Sequence, residues 1–193
     1  MDEIREDEVL TKDEYERRRP EFRRHIMKLK NARRMAVGEH MTVHFETRDT
    51  MLYQIHEMLR AEDSWQRPGA IDDELAAYNP LVPSGGELSA TVMLEYETAE
   101  ERDLRLTELL GLDHYLWLEI ADTEPVAAVF DSAQVSPTRI SSVQYVRWPI
   151  DAERSRLLRT DGTVVRIRST HPAYQAQAVV SEETRKELAK DRA

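Results

Sequence analysis

Cysteine is absent from the 193 residues. Disulfides, thiolate zinc sites, thiol nucleophiles and cysteine-held iron–sulfur clusters are therefore excluded within the chain. Glycine is scarce, at 6 residues, and only Gly85-Gly86 stand together. No phosphate-cradling glycine loop, dinucleotide fingerprint or G-x-S-x-G elbow can be written from them. Apolar runs are short, and none approaches the ~20 residues that cross a bilayer. The opening MDEIREDEVL is acidic, whereas a secretory leader is basic and then apolar. These absences lead us to expect a cytoplasmic protein.

What is present is charge. Hydrophobic residues make up 40% and charged residues 33%, enough for one core under a heavily charged surface. The length predicts a single domain over 1–193. The net charge of −10 is unevenly placed: positions 17–34 hold nine Lys/Arg and one acid, leaving 18 bases against 36 acids elsewhere. Two readings stand. Either a basic helix docks on the chain's own acidic body, or it meets an acid- or phosphate-bearing partner through Arg23, Arg24, Lys28, Arg33 and Arg34. Phe22 is the one Phe, Tyr or Trp in that segment, which argues against a base-stacking nucleic-acid surface.

The periodicities predict an α+β fold, with an N-terminal helical and hairpin lobe packed on a mainly antiparallel sheet with flanking helices. A capping box at Thr11-Lys12-Asp13-Glu14 opens a helix over 12–31, with a kink or break at Pro20. Alternation over 41–46 gives a strand following a turn at Gly38-Glu39. Asp49 or Thr50 then caps a helix ending near 63, and a shorter helix over 71–78 stops at Asn79-Pro80. The loop 81–86 reads as a hinge between lobes 1–84 and 87–193. Beyond it come strands over 89–97, 114–121, 126–130, 141–148 and 163–169. Capped helices open at Thr98, Asp151 and Ser181.

The stretch YQIHEMLRAED over 53–63 carries the sharpest motif. His56-Glu57-x-x-Arg60 imitates a zinc-protease H-E-x-x-H, but a guanidinium has no lone pair to give a metal. Tyr53 also stands three residues before His56, so the E-x-x-H of a di-iron bundle is missing. On a helix Met51, Leu52, Ile55, Met58 and Leu59 gather on one side. Tyr53, His56, Glu57 and Arg60 gather on the other, spaced i, i+3, i+4, i+7. That stripe is either a solvated face, a site for an acid or phosphate, or a grip on another segment; Glu62 falls back toward the apolar side. His40, His44 and Glu46 share one face of a strand, but His40 and His44 lie roughly 13 Å apart, too far for one metal. His171-Pro172-Ala173-Tyr174 reads as a rigid turn or a functional loop.

Tyr53-Gln54-Ile55, Glu57-Met58-Leu59-Arg60 and Glu62, then Leu75 with Tyr78-Asn79-Pro80-Leu81-Val82-Pro83, then His171-Pro172-Ala173-Tyr174, together resemble a bacterial family of domain-of-unknown-function proteins of about this length. The resemblance covers essentially the whole chain. The family pattern has glutamine at position 56, so Tyr53, Glu57 and Arg60 carry the stripe. Family members are often encoded beside rubrerythrin-like proteins and iron–sulfur oxidoreductases with cysteine-rich repeats. The resemblance thus implies a non-catalytic accessory protein of a redox or oxidative-stress system, with a redox metalloprotein as partner. Tyr53, Glu57, Arg60, Glu62, Tyr78, Asn79, His171 and Tyr174 would be its binding residues, and a homo-oligomer is compatible with it. Two alternatives are kept: an iron or haem protein using His40, His44, Glu46 and His56, and a small-molecule enzyme on the Tyr/Glu/Arg stripe.

Overall fold

The computed structural model describes residues 3–131 and 138–191. Among them are six helices and nine strands. The helices are α1 (Lys12–Ala32), α2 (Arg48–Ala61), α3 (Ala70–Tyr78), α4 (Ala99–Glu108), α5 (Ala152–Arg159) and α6 (Glu182–Lys190). The strands are β1 (Arg34–Val37), β2 (Met41–Phe45), β3 (Glu87–Leu94), β4 (Leu116–Ile120), β5 (Val126–Ala127), β6 (Val129–Phe130), β7 (Val143–Pro149), β8 (Val165–His171) and β9 (Tyr174–Val179). The chain is α+β, and every strand pairing is antiparallel.

Two sheets result. Sheet A has the order β1-β2-β3-β7-β6 and sheet B the order β5-β4-β8-β9. Strand alternation sends Met41, Val43, Phe45, Ala90, Val92, Val146 and Trp148 of A, and Leu118, Ile120, Val165 and Ile167 of B, into one core. Leu106, Leu158 and Leu188 enter it from α4, α5 and α6. The sheets are joined along both edges. On one side the chain steps from β5 to β6 across Ala128, which is why the run expected as one strand over 126–130 is two pieces in different sheets. On the other side the Tyr174 hydroxyl donates to the Val37 carbonyl at 2.7 Å and accepts from the His40 amide at 3.0 Å. This seam closes the sandwich into a flattened barrel.

The hairpin that supplies Tyr174 was legible only as a turn. His171 ends β8 and pairs with Tyr174 at the start of β9, so H-P-A-Y is the two-residue hairpin connection. Strand β9 went unanticipated because its inward positions, Ala176 and Ala178, are weak hydrophobic signals. The loop expected as a hinge, 81–86, connects strands of one sheet: β2, ahead of it, pairs with β3, behind it.

A second layer covers the outer face of sheet A. Met51, Ile55 and Leu59 of α2 pack with Ile4, Ala70, Leu81 and Val82, and Tyr145 of β7 joins them from the sheet. Tyr15 and Ile26 of α1 meet Tyr53 of α2 in a smaller cluster. Pro20 is exposed and does not break α1, whose two halves are anchored independently by Tyr15 and Ile26. The cap of α2 is Thr47: its hydroxyl accepts from the Thr50 amide at 3.1 Å, and the Thr50 hydroxyl accepts from the Thr47 amide at 2.9 Å. Thr50 is thus the third residue of the box rather than its cap.

The barrel seam can be tested at Gly38. Its φ is +75°, and a Cβ there would stand 2.7 Å from the Tyr174 hydroxyl and 2.8 Å from the Ala176 Cβ. Gly162, with φ +79°, has open space around it. Gly38→Ala should therefore cost about 3 kcal/mol, against about 1 kcal/mol for Gly162→Ala, in urea unfolding at neutral pH.

Candidate functional site

The polar stripe of α2 faces another helix. Tyr53 and His56 are 5% and 1% exposed, so of the three readings of the stripe the structure shows the grip on another segment, an interior seam against α1. Glu57 organises it. Arg19 donates from Nε to Oε1 at 2.7 Å and from Nη2 to Oε2 at 2.8 Å, a bidentate pair, and the Tyr15 hydroxyl donates to Oε1 at 2.6 Å. The Arg19 hydrogen bonds, then those from Tyr15, hold the Glu57 carboxyl down at about 2. The same desolvated environment, with Glu57 beside it, pushes the Tyr15 hydroxyl well above the usual range.

His56 is fixed just as fully. Its Nε2 accepts from the Leu10 amide at 2.9 Å, so Nδ1 carries the proton and donates to the Leu52 carbonyl at 2.7 Å. Its ring stacks on Tyr15 with centroids 4.5 Å apart. Burial pushes its pKa down, which keeps the imidazole neutral. Arg60 pairs with Glu16 of α1 at 2.8 Å on the exposed rim. Glu57 and Arg60 are thus spent on α1, and His56 on the Leu10 amide and its own helix backbone. Glu62 caps the C-terminus of α2 and is exposed.

The other anticipated groups are dispersed. Asn79 holds both the amide and the carbonyl of Ile4, at 2.8 and 2.9 Å. His171 lies near the Leu110 carbonyl at 3.0 Å and edge-on to Tyr115, while Tyr174 stands in the barrel seam. His40 packs on Tyr96 beside the Glu95 carbonyl. Glu57, Arg60, Tyr78 and His171 do not converge. Among the described residues no three His, Asp or Glu side chains gather as a metal-holding group.

Convergence occurs instead between α2 and sheet A. A cavity of about 250 Å³ is lined by Lys30, His44, Glu46, Gln54, Tyr78 and Tyr145, with Thr91 in its floor. Met51, Leu81, Met93 and Val143 supply its apolar wall. The register explains the floor: His44 pairs with Thr91 and Thr91 with Tyr145, so three outward side chains stand in a row across β2, β3 and β7. Glu46 is 5% exposed and accepts from the Thr50 hydroxyl at 2.6 Å and the Thr91 hydroxyl at 2.7 Å. Burial pushes the His44 pKa down, partly offset by Glu46 and reinforced by Lys30. His44, Glu46 and Tyr78 were singled out from the sequence. Lys30, Gln54, Thr91 and Tyr145 were not, because only strand pairing brings them together.

The basic segment divides in two. Arg19 is bound to Glu57. Arg33 is 2% exposed and donates to the carbonyls of Phe45 and Glu187 and to Asp191, so the expectation that it belongs to a contact surface is corrected: it is an interior strut. Arg23, Arg24 and Lys28 are exposed, and none makes a hydrogen bond or ion pair among the described residues. Arg34 is exposed at the start of β1.

The family described as "Protein of unknown function (DUF3501)" matches residues 3–192. A crystal structure described as a novel protein of unknown function from Burkholderia pseudomallei K96243 is 31% identical to the chain. The match covers 97% of this chain and 98% of that one, with a TM-score of 0.89. No curated protein matches the chain.

Glu57→Gln should lower stability by about 2 kcal/mol at neutral pH by breaking the charged clamp. A carboxyl held below its ordinary range stabilises the fold above that range and loses the effect as pH falls toward about 2. The penalty of Glu57→Gln, read from urea unfolding, should therefore shrink between about pH 5 and about pH 3. His56, held below its ordinary value, adds a separate loss of wild-type stability as pH falls below about 6.5.

Proposed function

Since the chain belongs to the DUF3501 family of proteins of unknown function, we propose from its surface that it is a non-catalytic accessory protein that docks an acidic protein partner on the outward face of α1. The observation that carries this reading is the unspent charge of Arg23, Arg24 and Lys28 on a chain whose net charge is −10. Exposed cations without internal partners add little to stability. They do raise association rates with an acidic surface and set the orientation of approach.

The partner class in this proposal is a redox metalloprotein of the rubrerythrin-like or iron–sulfur kind in the bacterial cytoplasm, on the strength of the family resemblance. The chain has no cysteine, so its part is to bind, deliver or regulate. Glu57 and Arg60, which an enzyme reading would use, are engaged with α1 and His56 with the Leu10 amide, and no observation favours that reading over docking.

Purified chain and a rubrerythrin-like protein from the same organism should associate at low salt and weaken as salt is raised. The triple reversal Arg23→Glu, Arg24→Glu, Lys28→Glu should reduce affinity by about tenfold or more while leaving the thermal midpoint unchanged. Retention unaltered by the reversal, or no association of the unmodified pair, would remove the proposal.

A further inference from the structure

The cavity beneath α2 holds a charge that the fold leaves uncompensated. Glu46 is 5% exposed and has two hydroxyl donors, from Thr50 and Thr91, yet among the described residues no cation stands within ion-pair distance of it. A buried carboxylate satisfied by neutral donors alone is costly, and natural proteins retain one where something positive meets it. Gln54 and Tyr78 in the wall are hydrogen-bonded to each other. The side chains of His44, Tyr145 and Lys30 make no hydrogen bond or ion pair among the described residues. The rest of the lining is apolar: Met51 and Leu81, with Met93 and Val143 paired on the same sheet face as Thr91 and Tyr145.

We infer that this cavity binds a small organic ammonium compound with an apolar body. The ammonium group lies against Glu46, within reach of His44 and the Tyr145 hydroxyl as further acceptors, and the body lies against the two methionines, Leu81 and Val143. At about 250 Å³ the space is below the usual range for nucleotide-sized ligands and suits a molecule of roughly ten to fifteen heavy atoms. Two sources of that chemistry differ at Lys30. A plain amine has no use for a second charge, whereas the carboxylate of an apolar amino acid would pair with the Lys30 ammonium in the same wall. The site is independent of the outward bases of α1, so its failure and the failure of docking are separate results.

The test is calorimetric titration of the full chain with phenethylamine, L-phenylalanine and hydrocinnamate, the last keeping the ring and losing the amine. Phenethylamine or L-phenylalanine should bind, and hydrocinnamate should not. Glu46→Gln should weaken binding by about tenfold or more, the loss of one charge-assisted contact. Val143→Phe, which fills the apolar end and leaves the carboxylate in place, should abolish it. This second variant keeps the test decisive if Glu46→Gln fails to fold. Lys30→Met separates the sources: weaker L-phenylalanine with unchanged phenethylamine assigns an amino acid, and two unchanged affinities assign a plain amine. Binding of hydrocinnamate as tight as that of the amines would overturn the inference. So would full affinity in Glu46→Gln, or no heat with either ammonium compound.

Discussion

The molecule depends first on a single buried guanidinium. Arg33 closes α1 and reaches three partners in two other segments at once: the Phe45 carbonyl of β2 at 3.2 Å, and the Glu187 carbonyl at 3.0 Å and Asp191 at the end of α6. Five donors in a fixed planar fork suit this task, and a lysine could not serve all three. Burying the charge is expensive and is tolerated only because its partners are complete. The contact fixes the end of β2 against the last turn of α1. Lys30, three residues earlier on α1, and Glu46, one residue past Phe45, line the same cavity as a result. Basic helix, barrel and pocket thus meet at one residue.

A second ionic contact sets how the helices lie. Glu57, gripped by Arg19 and Tyr15, joins the middle of α2 to the first half of α1, while His56 ties α2 to the segment leading into that helix. Apolar packing between the two helices is thin, with Tyr15, Ile26 and Tyr53 as its buried members. Directional polar contacts supply what that small patch lacks, because they specify one rotation and one register where apolar contact alone is permissive. This is the physical sense of the H-E-x-x-R pattern: a helix–helix lock made of groups that resemble catalytic ones.

The elements were legible in the sequence wherever local chemistry decides them. The Thr11 box, the strand alternation from Met41 and the caps at Thr98, Asp151 and Ser181 all appear in the structure. The α2 stripe was legible as a polar face, with a grip on another segment among its readings, but periodicity could not choose between water and a second helix, since either can meet a polar face. Strand β9 was hidden by its alanines, and the sheet switch at Ala128 by its brevity. The cavity escaped for another reason. Its lining comes from α1, β2, α2, α3, β3 and β7, so no window of sequence contains it. His44 and Glu46 could be placed on a common face by alternation, but their partners across the sheet could not.

The central claim is that the basic segment divides between bases that hold the fold and bases that are free to bind. Thermal unfolding of two neutralised proteins tests it most directly. Replacing the outward set, as Arg23→Gln, Arg24→Gln, Lys28→Gln, should leave the midpoint within about 1 °C of the unmodified chain, since exposed unpaired charges contribute little. Arg33→Gln alone, which strands Asp191 and two carbonyls in the interior, should lower it by about 10 °C. A large drop from the outward triple, or a negligible one from Arg33→Gln, would contradict the account.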